Sequence, residues 1–147
     1  MTTLPPAARQ VPPERVAVPY GHHLRRVRVS DVALHRTAVE GSLQVLRDLH
    51  GSLHGWPPPT WRGEDSRREL VHQVREMQRR HAWTYALLDA DETALLGGVR
   101  VEPAPDGRPT AWWWVVAECL GTDVTAAVDA LVPRWLEEAW SPACFRS

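Results

Sequence analysis

Three parts of this sequence carry residue types at spacings that can do chemistry. His50 and His54 stand four residues apart, a separation that on a helix places two imidazoles on one metal ion. The glycines among and beside them favour a loop, and no third ligand accompanies the pair, so no metal site is expected. A loop-borne His54 can still serve as a base beside an acceptor group. Glu102 closes a strand-like run just before Pro103 and is either a general base facing a cleft or an ordinary exposed acid. The third part is Thr110 to Val128, TAWWWVVAECLGTDVTAAV, a bulky strand, a break at Gly121 and a helix start. Such an order can cradle an anion on the orphan amides of the helix. Asp123 puts a carboxylate where the anion would lie, and it reads equally well as a cap or first-turn acid of the helix. The hydroxyls of Thr122 and Thr125 are available as donors to a phosphate.

Tryptophan is the other unusual feature, with eight residues against a single Phe. Trp135 and Trp140 fit the inner face and end of a helix. Trp112 and Trp114 point to one side of their strand and Trp113 to the other. Trp56 and Trp61 sit in a proline loop. A cleft lined by Trp56, Trp61, Trp112 or Trp114 would suit a flat or apolar ligand, and the same rings would equally serve to cover a small core.

These side chains need elements to position them. The 147 residues suffice for one domain with one core. A hydrophobic content of 44% and charged content of 24% are those of a globular chain, and a net charge of −1 gives no bias toward nucleic acid or anionic membrane. The Arg67-Arg68 and Arg79-Arg80 pairs have acids interspersed and read as solvated charge, so no nucleic-acid partner is expected. No apolar run reaches the length of a membrane span, and the start lacks a secretory apolar segment, so a cytoplasmic location is expected. Cys119 and Cys144 are then free thiols. The chain has no Lys, which excludes any Schiff-base mechanism.

Residues 1–21 are Pro-rich and form a flexible arm in this reading, with one domain over 22–147. Leu24 to Val29, LRRVRV, alternates as a half-buried strand does. Ser30-Asp31 offers a helix cap, and a broken apolar stripe runs to about residue 49, interrupted near Gly41-Ser42. Residues 50–63 are a loop. Ser66-Arg67-Arg68-Glu69 is a capping-box pattern, followed by Leu70, Val74 and Met77 at helical spacing. Trp83 to Asp89 and Ala94 to Glu102 flank a turn and form a hairpin, and Thr110 to Ala117 adds a third strand. A last helix runs to about Ala139, with Pro133 expected to kink or split it. ACFRS at the end starts a further strand. The order implies an α+β, three-layer fold: a mixed, mostly antiparallel sheet with helices on its faces.

This order, with HGWPPP after the first helices, the YALLDADETALLGGVRVEP hairpin, the strand carrying WWV, the GT loop and a helix ending WLEEAW, resembles the GNAT superfamily of N-acyltransferases, and within it short bacterial GNAT-like proteins. The resemblance covers about residues 24 to 146. It implies a cofactor, acetyl-CoA or another acyl-CoA, held by Trp114, Val115 and Val116 on the strand and by Gly121, Thr122, Asp123, Val124 and Thr125 at the helix start. The family loop reads Arg/Gln-x-x-Gly-x-Gly/Ala; of the matching Glu118, Gly121 and Asp123, only Gly121 agrees, so the loop is degenerate. The late tyrosine acid of many members has no counterpart here. The resemblance implies acyl transfer to an amine of a small molecule, with Glu102 or His54 accepting the proton and Trp56, Trp61, Tyr85 and Trp112 binding the substrate. The alternative is a GNAT fold that has lost CoA use and binds an aromatic or apolar small molecule, as a binding protein or a CoA-independent enzyme of specialised metabolism. Neither reading involves a membrane, and a homodimer is compatible with both.

Overall fold

The computed structural model describes residues 11–146. Two strands, β1 (Arg15–Val18) and β2 (His22–Arg26), come first. Three helices follow, α1 (Val32–Gly41), α2 (Leu43–His54) and α3 (Asp65–Gln78). Then come β3 (Trp83–Leu88), β4 (Leu95–Pro103) and β5 (Pro109–Val115), and finally α4 (Asp123–Ala139). The strands form one sheet in chain order, β1-β2-β3-β4-β5, each antiparallel to its neighbour. Helices α1 to α3 lie on one face and α4 on the other. Side-chain alternation along the strands shows this directly: Arg100 of β4 bonds Glu76 of α3, whereas Tyr85 of β3 packs on Trp135 of α4.

The α4 face holds most of the aromatic core. Tyr85 is edge-on to Trp135 at 4.9 Å and to Trp140 at 5.9 Å, and the two indoles meet edge-on at 5.4 Å. Pairs of this geometry each add about 0.5–1.5 kcal/mol beyond their buried area. Trp61, 8% exposed, packs with Val39 and Leu46 in a smaller cluster under the helices.

Several expectations meet a different outcome, each for a local reason. Arg15–Val18, within the stretch expected to be a loose arm, pairs with β2; Tyr85 Oη donates to the Pro13 carbonyl (2.6 Å) and Arg26 donates to that of Pro12. Residues 1–10 of that stretch lie outside the described residues. The helix expected to stop near residue 49 continues over Gly51 to His54 and ends on Gly55 in the left-handed conformation (φ 63°). Its last turn is held by His50 and His54 packing on Trp112. The expected caps are taken up elsewhere: Asp31 accepts Arg25 through both oxygens (3.0 and 2.7 Å), and Ser66 and Glu69 both engage His35. Pro133 does not split α4, which continues through it to Ala139. It lies on the exposed side, where water can satisfy the Asp129 carbonyl that it frees. Of the terminal ACFRS, residues 143–146 form no strand and Ser147 lies outside the described residues. Pro142–Cys144 is a 3-10 turn, and the Arg80 guanidinium bonds the carbonyls of Ala143 and Cys144.

Candidate functional site

Between α1 to α3 and the sheet lies a cleft of about 460 Å³. Its floor is built by β4 and β5. The β3–β4 pairing is irregular at Leu87/Leu88, and in the regular β4–β5 ladder Gly97 lies opposite Val115, where a Cβ would run into the Trp114 carbonyl oxygen. Gly98 lies under the Trp114 indole, whose Nε1 would sit 2.7 Å from an added Cβ. Gly98 thus lets the Trp114 ring lie close over the sheet, while Gly97 lets the two backbones approach. Trp56, whose peptide to Pro57 is cis, stands 5.0 Å from Trp114 and 5.9 Å from Trp112. His54 stacks on Trp112 at 4.1 Å with 11° between the planes. Both charge repulsion and burial act on its neighbour His50: burial first, then the nearby His54, hold that imidazole below its ordinary value of 6.5.

The polar wall comes from α3. Glu69, with its side chain 19% exposed, accepts Trp56 Nε1 (2.6 Å), and its Oε2 lies 3.0 Å from His35 Nε2. His35 Nδ1 in turn meets Ser66 Oγ at 2.9 Å. With Nε2 facing the carboxylate, the tautomer that carries its proton there would receive the Ser66 hydroxyl on Nδ1. The chain serine–histidine–acid has the connectivity of a hydrolytic relay, but Ser66 is 0% exposed and no substrate reaches it. Its role is to orient His35 and, through it, Glu69. Gln73, one turn further, has its Oε1 buried with no donor among the described residues, and lines the same cleft. Glu76 takes both terminal nitrogens of Arg100 at 2.8 Å, and Arg100 Nε reaches Glu102 at 2.9 Å. Burial alone would raise the Glu76 carboxyl; the Arg100 guanidinium outweighs it and holds the group below its usual range.

The sequence-derived candidates fall into three groups. Trp56, Trp112, Trp114, His54 and Glu102 all line the cleft, with Glu102 tied to Arg100. Tyr85 and Trp61 do not offer side chains there: the Tyr85 ring is 0% exposed on the α4 face, and Trp61 is in the second core cluster. The remaining candidates lie at the end of β5 and the start of α4. Val116 N–H bonds the Leu96 carbonyl and Ala104 N–H that of Arg108, which sets the alternation of the ladder. Trp114 and Trp112 therefore turn their peptide groups toward β4, while Trp113 and Val115 turn theirs to the outer edge. The amides expected to face a ligand, near Trp114 and Val116, are those engaged in the sheet; the outward ones belong to the residues between. No described strand pairs with that outer edge.

Beyond it, Ala117 N–H donates to Ser42 Oγ (2.8 Å) and Thr122 N–H to the Cys119 carbonyl (3.1 Å). Thr122 and Thr125 both turn their hydroxyls to that same carbonyl rather than outward. Gly121, at φ 73°, makes the reversal that glycine tolerates best. Asp123 is the first residue of α4 and exposed; its side chain does not cap the helix, which starts on Thr122. The amides of Asp123, Val124 and Thr125 have no partner within the helix. Among the described residues no group of three or more His, Cys, Asp or Glu is placed to hold a metal ion, and no helix is long and apolar enough to cross a membrane.

His35, Glu69 and Gln73 were not singled out as site residues from the sequence. The usable signal was in α3: Glu69, Gln73 and Glu76 each precede a member of the apolar stripe Leu70, Val74 and Met77, forming a polar row beside it.

No protein-family model and no curated protein matches this sequence. Solved structures do match in fold. RimL, a ribosomal L7/L12 alpha-N-protein acetyltransferase in complex with coenzyme A, is 17% identical with a TM-score of 0.65, over 83% of this chain and 67% of that one. The microcin C7 self-immunity acetyltransferase MccE, in complex with acetyl-CoA and AMP, is 13% identical with a TM-score of 0.62, over 86% and 68%. RimJ from Mycobacterium smegmatis, in complex with a CoA disulfide, is 17% identical with a TM-score of 0.59, over 88% and 65%. The chain spans about two thirds of the length of these proteins. It has the GNAT fold.

Proposed function

We propose that this chain transfers an acetyl or other acyl group from acyl-CoA to an amine of a small molecule, in the cytoplasm. The observation that carries the reading is the fold shared over more than four fifths of the chain with acetyltransferases that hold coenzyme A or acetyl-CoA. Two local features fit such a cofactor: the outward peptide groups of Trp113 and Val115 on an unpaired strand edge, and the free amides of Asp123, Val124 and Thr125 beside the open Gly121 turn. Bound acyl-CoA would supply the activated thioester. The chain's own part is to hold that carbonyl at the β5 edge and present the amine from the cleft on the Trp112–Trp114 face. His54 or Glu102 would receive the ammonium proton; His54 is the better placed, since the Glu102 carboxylate already accepts Arg100.

A second reading has its own support. Asp123 sets a negative charge at the head of α4, and the threonine hydroxyls there face inward. A protein with this cleft and no CoA use would bind a small aromatic or apolar molecule. Thiol release from acetyl-CoA, followed with an amine panel, separates the two. Turnover supports transfer, and its absence in both the native protein and Asp123→Gly rejects it.

A further inference from the structure

We infer that the cleft is built for a protonated amine carrying an aromatic or branched apolar group, with its nitrogen held between Glu69 and Gln73 and its body against Trp56, Trp112 and Trp114. The ligand's role as acyl acceptor rests on the transfer reading above; its binding does not.

The charges of the cleft favour a cation. Three carboxylates, Glu69, Glu76 and Glu102, line or border it against one guanidinium. Arg100 has its nitrogens directed to Glu76 and Glu102, so little of it remains for a ligand anion. Glu69 is different from the other two. Its partners are the Trp56 N–H and the His35 imidazole rather than an arginine, and each oxygen keeps an acceptor site. The Ser66–His35 pair and Trp56 fix its position from behind, as a binding carboxylate requires.

Gln73 supplies an independent pointer. Its Oε1 is an acceptor buried in the cleft wall with no donor among the described residues. Glu69 and Gln73 are four apart on α3, so they stand on one helix face. An ammonium has three donors and can serve both acceptors at once, with its remaining surface on an indole. A carboxylate or phosphate would offer Gln73 Oε1 no donor and would meet Glu69 as a like charge. The tryptophan rings then select the rest of the molecule: they are 5.0 to 5.9 Å apart around Trp56, in a space of about 460 Å³.

The test is binding in the absence of CoA, with two probes of matched body and opposite charge, 2-phenylethylamine and 3-phenylpropionate, followed by tryptophan fluorescence and calorimetry. The amine is expected to bind about tenfold or more tightly than the acid, and Glu69→Gln to weaken the amine by a similar factor while leaving the acid no weaker, since it removes a like charge. Equal affinity for the two probes overturns the inference. So does an unchanged amine affinity in a Glu69→Gln protein with a native melting curve. Where that variant loses its fold, Gln73→Leu, which leaves the His35 network intact, takes its place: a loss of about threefold or more supports the inference and no loss overturns it. Amine binding without thiol release from acetyl-CoA would reject the transfer reading alone. Acetyl-CoA turnover with other amines, and no binding of phenylethylamine, would reject this inference alone.

Discussion

The two glycines under Trp114 make a paired prediction in which backbone and side-chain contacts part company. A methyl group at Gly97 meets the carbonyl of Trp114, which is fixed in the β4–β5 ladder. Neither strand can yield without loosening the β4–β5 ladder that floors the cleft. Overpacking of this kind costs about 1–3 kcal/mol. Against that, alanine restricts the unfolded chain more than glycine does, a gain of about 0.5–1 kcal/mol. The clash wins, and Gly97→Ala should destabilise by about 1–2 kcal/mol, which lowers Tm by about 2–8 °C for a domain of this size. At Gly98 the methyl meets the edge of the Trp114 indole, 2.7 Å from Nε1, and a side chain can swing away. Gly98→Ala should therefore melt within about 2 °C of the native protein, yet shift its tryptophan emission as the indole moves into the cleft. Differential scanning calorimetry and emission spectra of the two variants decide the matter. Equal melting temperatures, or a larger loss at Gly98 than at Gly97, would refute the claim that backbone contact with β5 is what requires glycine at position 97.

Three further outcomes are expected. Arg25 and His23 hold the Glu92 carboxyl down to about 2, against an ordinary 4.5, so its contribution to stability is complete above pH 4.5 and is lost as pH falls toward 2. His50 acts in the same direction at higher pH: its depressed value means that the unfolded chain takes up the proton first, so stability declines as pH drops through 6.5. Urea midpoints measured across this range should fall in two stages, and Glu92→Gln should flatten the lower one. Pro133→Ala should raise stability by about 1–3 kcal/mol, because it restores a helical hydrogen bond on an exposed face of α4 without disturbing packing; a lower Tm would show that the ring packs after all. Ser66→Ala leaves His35 Nδ1 buried without a donor and should cost about 1–3 kcal/mol, read by chemical denaturation.

What the sequence made legible was what lies within a few residues. The β3–β4 hairpin shows in its alternation and its Asp-rich turn, where Asp89 accepts the amides of Thr93 and Ala94. The break between α1 and α2 shows in Gly41-Ser42. The end of α2 did not, because Gly51 is only a weak argument against helix, and the rings of His50 and His54 on Trp112 override it through contacts distant in the chain. The same holds for the site. Trp56 and Trp112 announce themselves by residue type, but a capping-box pattern concealed Ser66 and Glu69, whose partner His35 belongs to another helix. The β5 edge required the register itself, since moving by one residue exchanges inward and outward amides.

In the proposed function, a GNAT fold with this altered loop still holds an acyl-CoA at the β5 edge and the head of α4. Calorimetric titration of acetyl-CoA into the protein tests it most directly. Saturable heat with one site per chain is expected, with tighter binding by Asp123→Gly. No heat from either protein at millimolar acetyl-CoA would contradict it.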